Sequence, residues 1–70
     1  MEMQSVSSTD LAAVGYSYES AVLRVEFVKG GFYDYHGVPY DIYVGLMNAG
    51  SKGQYFNHFI KKGGYACTKL

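Results

Sequence analysis

Two tyrosines in the middle of the chain have the type and spacing of a base-stacking platform. Tyr33 and Tyr35 are separated by one residue, so in a β-strand both rings lie on the same face of the sheet. Exposed aromatic rings on a sheet can stack nucleobases, at about 1 to 3 kcal/mol per base. The alternative is that the two rings pack beneath helices, as the core of a small aromatic-rich domain requires.

A lysine-bearing segment from Ser51 to Lys62 is the second candidate. Backbone amides at a helix start favour anions, and with Lys52 and the later pair Lys61-Lys62 they can bind phosphate. The lysine pair also has a structural explanation, because cations near a helix C-terminus are favourable and usually solvated. Gly53 in a first helical turn costs about 1 kcal/mol relative to alanine, which indicates that a ligand or the sheet approaches it closely.

The other polar residues give little support to catalysis or metal binding. Cys67 can in principle form a thiolate pair with His36 or His58, but no local signature accompanies it. Both histidines lack the acids or further cysteines of a metal site, and Asp34 should face away from its flanking tyrosines. The chain has no paired carboxylates, phosphate-binding loop or nucleophile elbow. We therefore predict a non-enzymatic protein without a metal ion or cofactor.

Alternating apolar residues predict the strands that position the tyrosines. A first strand begins at Leu11, a second covers residues 22–28 and a third covers residues 32–36, with turns at 19–20 and 29–31. Paired glycines in the second turn accept the positive φ of a tight hairpin. The strands form a three-stranded antiparallel meander. Val14, Tyr16 and Tyr18 share one face of the first strand, Leu23, Val25 and Phe27 point inward from the second, and Tyr33 and Tyr35 share one face of the third.

The period becomes helical after the third strand, which predicts an α+β fold. Pro39 suits the first position of a helix that ends at Gly50. Ser51 and Gln54 have the spacing of a capping box at the start of a second short helix, whose apolar face carries Tyr55, Phe56, Phe59 and Ile60.

The end of the second helix leaves one choice open. Asn57 follows two aromatic residues on the buried side, so we expect its amide to bond a loop backbone rather than a ligand. Gly63 and Gly64 end the helix, and residues 65–70 either add a short closing strand or stay extended. The predicted core includes one large apolar residue or more from each element: Phe27, Leu46, Phe56 and Ile60.

Composition points to one small domain covering residues 1–70. The chain has no apolar run long enough for a membrane span and no signal-peptide pattern, and its single cysteine cannot form an internal disulfide. The cytoplasm is therefore the expected location. Residues 1–41 hold all six acids and two basic residues (2 − 6 = −4), whereas residues 42–70 hold four lysines and no acid (+4). This asymmetry indicates either an anion-binding face or a contact between opposite charges.

Several short motifs, at this spacing, resemble one known family. They are Val14-Gly15-Tyr16, Tyr33-x-Tyr35, Val38-Pro39, Tyr43, Leu46, Ser51-Lys52-Gly53-Gln54-Tyr55-Phe56-Asn57 and Ile60. Over essentially its whole length the sequence is similar to the KTSC domain, which occurs as a small stand-alone protein in bacteria and their phages. The same domain occurs at the C-terminus of some lysyl-tRNA synthetases, and RNA binding is implied only by that association. Ser17 stands where the family often has aspartate, so no role of that acid carries over.

Together the residues and the resemblance indicate a small non-catalytic binding module. We expect RNA or another phosphate-bearing ligand to bind a surface built from Tyr33, Tyr35, Lys52, Tyr55, Lys61 and Lys62. A protein-interaction or inhibitor module, acting on a bacterial or phage protein or forming a homo-oligomer, is one alternative, and a large apolar patch would favour it. A small-nucleotide binder is the other, favoured by a deep aromatic pocket that contains Lys52.

Overall fold

A five-stranded antiparallel sheet is covered on one face by helices, as a computed structural model of residues 1–70 shows. The strands follow the sheet in chain order, so every neighbouring pair is joined directly or through the helices. This arrangement confirms the α+β class. The strands are β1 (Gln4–Ser5), β2 (Leu11–Ser17), β3 (Val22–Phe27), β4 (Phe32–His36) and β5 (Ala66–Lys69).

The predicted strand number of three is wrong, because the sheet has two further strands at its edges. β5 is the closing strand that the sequence left as one of two alternatives, and it pairs with β4. β1 pairs with β2 and was not predicted from the sequence. Every residue of both edge strands is exposed, so neither strand shows the alternation that reveals a half-buried one.

The helical layer consists of α1 (Tyr40–Asn48), α2 (Lys52–Tyr55) and a π-helix (Phe56–Lys61). Pro39 is the N-cap of α1, with extended backbone, rather than its first helical residue, and the helix ends before Gly50, with Ala49 as its C-cap. No helix is long and apolar enough to cross a membrane.

Ser51 caps α2 as predicted. The Gln54 backbone N–H donates to Ser51 Oγ over 3.4 Å. The chain then continues in a wider π turn, where the Lys62 N–H donates to the Asn57 carbonyl over 3.3 Å, a bond from residue i+5 to residue i.

The π-helix changes which side chains reach the core. Phe56 and Ile60 are buried, but Phe59 is 46% exposed, so its predicted place on the apolar face is wrong. Asn57 is also exposed, and the prediction that it lies on the buried side is wrong. The cause is the extra residue per hydrogen-bonded turn, which shifts side chains relative to an α-helical register.

The hairpin between β3 and β4 has the predicted glycine turn. Gly30 and Gly31 have φ values of 105° and 94°, a region that residues with a Cβ rarely adopt. The Phe27 N–H donates to the Gly31 carbonyl over 3.1 Å and closes the turn. This turn places Lys29 at one end of the sheet.

The core lies between the sheet and the helices, and its large members include Leu46, Phe56 and Ile60 as predicted. Phe27 is half-buried and packs against the edge of this cluster, so its assignment to the core is wrong. The hairpin turn begins directly after Phe27, and no helix covers that end of the sheet fully. The cluster also contains Leu11, Val14, Leu23, Val25, Tyr35 and Val38.

The opposite face of the sheet carries an ion pair between β3 and β4. The Arg24 Nε and Nη2 atoms donate to the two carboxylate oxygens of Asp34 over 2.7 and 2.9 Å. Asp34 is buried and, as predicted, lies on the face away from its flanking tyrosines. The hydrogen bond from Arg24, which outweighs the effect of burial, lowers the pKa of Asp34 below its ordinary value of 3.8.

Replacing Asp34 by asparagine should reduce stability near neutral pH and weaken its dependence on acid. A carboxyl group whose pKa is lowered by folding contributes stability above its unfolded pKa and loses that contribution as the pH falls through the folded pKa. The parent should therefore lose stability progressively below about pH 4. Urea unfolding at several pH values would check this, with Asp41→Asn as the control at an exposed carboxylate. Equal acid dependence in the parent and Asp34→Asn would contradict the prediction.

Candidate ligand-binding cleft

An open cleft of about 650 Å³ lies between the hairpin end of the sheet and the helical segment after Ser51. One wall is the inner surface of β3 and β4, and the other is formed by α2 and the π-helix. The residues that line it are Asp10, Phe27, Lys29, Gly30, Tyr33, Tyr35, Gly53, Gln54, Phe56, Asn57 and Lys61.

Tyr33 is the aromatic residue best placed to meet a ligand in this cleft. Its ring is half-buried and meets the Phe27 ring edge to face, with centroids 5.3 Å apart and an interplanar angle of 78°. Lys69 of β5 is the cross-strand partner of Tyr33, and its Nζ lies 6.0 Å from the centroid of the tyrosine ring. That distance is at the limit of a cation–π contact.

Tyr35 belongs mainly to the core, although it also lines the cleft. It is 7% exposed, and its ring meets Phe56 at 5.4 Å in an edge-to-face contact. Burial is the largest cause that raises the pKa of Tyr35 to about 12, and the neighbouring Cys67 thiol adds to it. The ring is therefore a neutral packing element, and the alternative that the tyrosines pack beneath the helices describes Tyr35 but not Tyr33.

The charges at the cleft are mixed but mainly positive. Lys29 from the hairpin and Lys61 from the π-helix are both exposed and line it from separate elements. Asp10 supplies the acid among the lining residues. A Cβ added at Gly53 would lie 3.1 Å from the Asp10 carboxylate. The close approach of the loop before β2 to Gly53 therefore explains why this position has a glycine.

Three of the predicted site residues lie outside the cleft. Lys52 donates from Nζ to the Ala49 carbonyl over 3.2 Å, which ties it to the end of α1. The Tyr55 ring packs on Phe59 with centroids 4.6 Å apart, on the other side of the helical layer. Lys62 is exposed and is not among the residues lining the cleft. The structure thus brings together Tyr33, Tyr35 and Lys61 of the predicted set.

Several cleft residues were not predicted from the sequence. Lys29 lines the cleft from the hairpin turn, whereas Lys69 is not among the lining residues and approaches the Tyr33 ring through the pairing of β5 with β4. Gln54 was read as a capping residue, and Asn57 as a buried amide. The position of Lys29 could be predicted from its place in the turn that precedes the Tyr33 strand. The position of Lys69 could be predicted only by knowing that β5 forms and pairs with β4.

The residues considered for catalysis do not form a catalytic arrangement. His36 Nε2 lies 2.9 Å from Thr68 Oγ1, on the opposite face of the sheet from Cys67, whose cross-strand partner is Tyr35. The ring of His58 packs against Phe59 at 4.8 Å. No group of three His, Cys, Asp or Glu side chains is placed to hold a metal ion.

Comparison with known proteins bears on the same residues. The sequence profile of the KTSC domain matches residues 7–65. The chain belongs to the KTSC domain family. A KTSC domain protein from Yersinia pestis has a crystal structure with a TM-score of 0.93 to this chain, at 36% sequence identity, covering 99% of this chain and 96% of that one.

Relatives of this KTSC domain occur both as short chains and within a larger protein. An uncharacterized protein from Stutzerimonas stutzeri is 35% identical over 70 residues, covering 100% of this chain and 99% of the relative. A lysine–tRNA ligase from Trichormus variabilis is 50% identical over 48 residues, covering 66% of this chain but only 9% of the ligase. The ligases of two Nostoc strains match similarly small shares.

In this KTSC domain, two of the recognised motifs form the two walls of the cleft. Tyr33 and Tyr35 lie on β4, while the segment 51–57 carries Gln54 and Asn57 on the facing helical wall. The motifs are separated in sequence by the whole of α1. Their convergence on one cleft is the reason to treat it as the candidate site.

Proposed function

We propose that this KTSC domain is a non-catalytic module that binds a phosphate-bearing ligand in the Tyr33 cleft, with single-stranded RNA as the first candidate. The observation that carries the proposal is that Lys29 and Lys61 line the cleft together with Tyr33, while Lys69 Nζ lies 6.0 Å from the centroid of the Tyr33 ring. An aromatic ring surrounded by lysines offers a stacking surface for a base and counterions for its phosphates.

The physical roles of the cleft residues differ. Stacking on Tyr33 is tolerant of base identity, because every nucleobase has a π-face. Lys29 and Lys61 stand at the cleft on exposed side chains, where each neutralised phosphate releases counterions. The exposed amides of Gln54 and Asn57 can donate to and accept from the edge of a base.

The relatives support RNA over other phosphate compounds. Several are lysine–tRNA ligases, whose name includes an RNA substrate. This chain corresponds to less than a tenth of those ligases, so the ligation reaction itself is not carried over. The zero net charge of this chain predicts modest affinity, since strong nucleic-acid binders usually carry a basic domain.

A free nucleotide is the second candidate ligand, because the volume of the cleft favours it. About 650 Å³ lies within the usual range for small-molecule sites. Single-stranded RNA and a free nucleotide present the same base and phosphate groups, so the experiment distinguishes them by the length of the ligand. A mononucleotide that binds as tightly as a short oligonucleotide would favour the second candidate.

The adjacent lysines Lys61 and Lys62 provide a charge-matched test. Labelled single-stranded RNA should bind the parent weakly, and Lys61→Ala should reduce the affinity and lower the dependence of log K on log salt by about 0.7. Lys62→Ala removes the same charge from a side chain outside the cleft and should change binding little. Fluorescence anisotropy at several salt concentrations, with adenosine monophosphate as competitor, measures all three quantities.

Two outcomes would contradict the proposed function. Absence of saturable RNA or nucleotide binding at about 100 µM protein in low salt would discard it, because even non-specific nucleic-acid binding usually falls in that range or tighter. Equal losses in Lys61→Ala and Lys62→Ala would indicate a diffuse basic surface rather than the cleft.

A further inference from the structure

Four tyrosine rings form a cluster at the end of the molecule opposite the Tyr33 cleft. Tyr16 and Tyr43 stack with centroids 4.8 Å apart and an interplanar angle of 11°. Tyr18 lies 4.7 Å from Tyr40 and meets Tyr16 edge to face at 5.6 Å. The turn after β2 and the start of α1 bring these rings together, while the cleft lies at the β3–β4 hairpin.

The outer rings of this tyrosine cluster are exposed, and the inner ring is held in place. Tyr18 and Tyr40 are 68% and 47% exposed, whereas the Tyr16 hydroxyl donates to the Val38 carbonyl over 2.6 Å and holds the inner ring. The neighbouring Tyr40 hydroxyl is the largest cause that raises the pKa of Tyr18 to about 12. Tyr18 and Tyr40 therefore present aromatic faces to the solvent, whereas Tyr16 and Tyr43 pack against the core.

The surroundings of the tyrosine cluster are acidic. Glu19 lines a groove of about 470 Å³ together with Tyr16 and Tyr18. Arg24 lines the same groove, but both carboxylate oxygens of Asp34 already hold its guanidinium. Asp41 is exposed beside Tyr40, and its charge adds to burial in raising the pKa of Tyr16. Met1 lines the groove as well. The carboxylates of Glu19 and Asp41 form no salt bridge, so two unpaired negative charges are available to a partner.

We propose that the tyrosine cluster is a docking site for an arginine side chain of a protein partner. A cation is attracted to the faces of exposed aromatic rings, and a guanidinium can stack flat on Tyr18 while it pairs with the Glu19 carboxylate. Lysine lacks the planar group for stacking, and the acids repel the phosphates of RNA. Tyrosine and arginine are also enriched among the residues that dominate protein interfaces. The site is separate from the cleft and does not depend on RNA binding.

Titration of the isotope-labelled full chain with hexa-arginine, hexa-lysine and hexa-glutamate peptides tests this docking site. Hexa-arginine should shift the backbone amide signals of residues 16–20 and 40–43 in a saturable way, and hexa-glutamate should not. Tyr18→Ala should weaken hexa-arginine binding about two- to fivefold, while Tyr18→Phe, which keeps the ring, should bind like the parent. Phe59→Ala removes a ring that is 46% exposed elsewhere and should leave the affinity unchanged.

Five results would overturn the docking site. Equal affinity for hexa-arginine in the parent and Tyr18→Ala would show that the acidic charge alone binds the peptide. The absence of a preference for hexa-arginine over hexa-lysine would show the same. Shifts in the same amides on raising the protein concentration without peptide would assign the cluster to a second copy of the chain. Shifts there on adding single-stranded RNA would assign it to nucleic acid, and shifts spread over the whole chain would remove it altogether.

Discussion

Replacing Phe56 by alanine should lower the free energy of unfolding by about 3 to 5 kcal/mol. The side chain is 4% exposed, and its ring meets Phe27 at 5.5 Å and Tyr35 at 5.4 Å, both edge to face. Truncation would therefore remove apolar contacts and leave a cavity between the sheet and the π-helix. A chain of this length has a total stability of about 0.05 to 0.15 kcal/mol per residue, so the variant should be largely unfolded.

Thermal and urea unfolding followed by circular dichroism measures this effect. Phe59→Ala makes the same change three residues later in the π-helix, at a ring that is 46% exposed. Surface substitutions usually change stability by about 0.5 kcal/mol or less, so Phe59→Ala should stay close to the parent. A Phe56→Ala protein that melts within a few degrees of the parent would show that the described core packing is wrong.

The sequence predicts those parts of the fold that local chemistry dictates. The glycine turn after β3 follows from the positive φ of Gly30 and Gly31, and the start of α2 follows from the hydroxyl of Ser51. The alternation predicted from Val14 onward does not extend back to Leu11, because these two residues are three apart and both fully buried. A register shift between Leu11 and Ala13 in the pairing of β2 with β3 turns both inward, and a period of two cannot anticipate such a bulge.

The candidate site was predicted only in part, because its residues meet through tertiary structure. The strand face of Tyr33 follows from spacing, but Lys69 becomes its neighbour only when the exposed strand β5 pairs with β4. Lys61 and Lys62 are indistinguishable in sequence. Adjacent residues at the end of a helix point in different directions, and the tertiary structure places Lys61 in the lining of the cleft and Lys62 outside it.

Removing the aromatic ring of Tyr33 should cause the largest loss of RNA affinity among substitutions in the cleft. Tyr33→Leu should weaken the binding of single-stranded RNA by about 1 to 3 kcal/mol, the usual contribution of one stacked base. Tyr33→Phe keeps the ring and its contact with Phe27 and should retain most of the affinity. Leucine is apolar and fills part of the same space, so Tyr33→Leu should stay folded, which circular dichroism would verify before binding is measured.

Mapping the RNA contact by amide chemical shifts is the most direct test of the cleft as the binding site. The isotope-labelled parent and the two Tyr33 variants are titrated with a short single-stranded RNA in low salt. We expect saturable shifts confined to the amides around Gly30, Tyr33, Gln54, Asn57 and Lys61, retained in Tyr33→Phe and strongly reduced in Tyr33→Leu. Shifts that lie elsewhere, or that are the same in Tyr33→Leu as in the parent, would contradict the proposal that this KTSC domain binds RNA through the Tyr33 cleft.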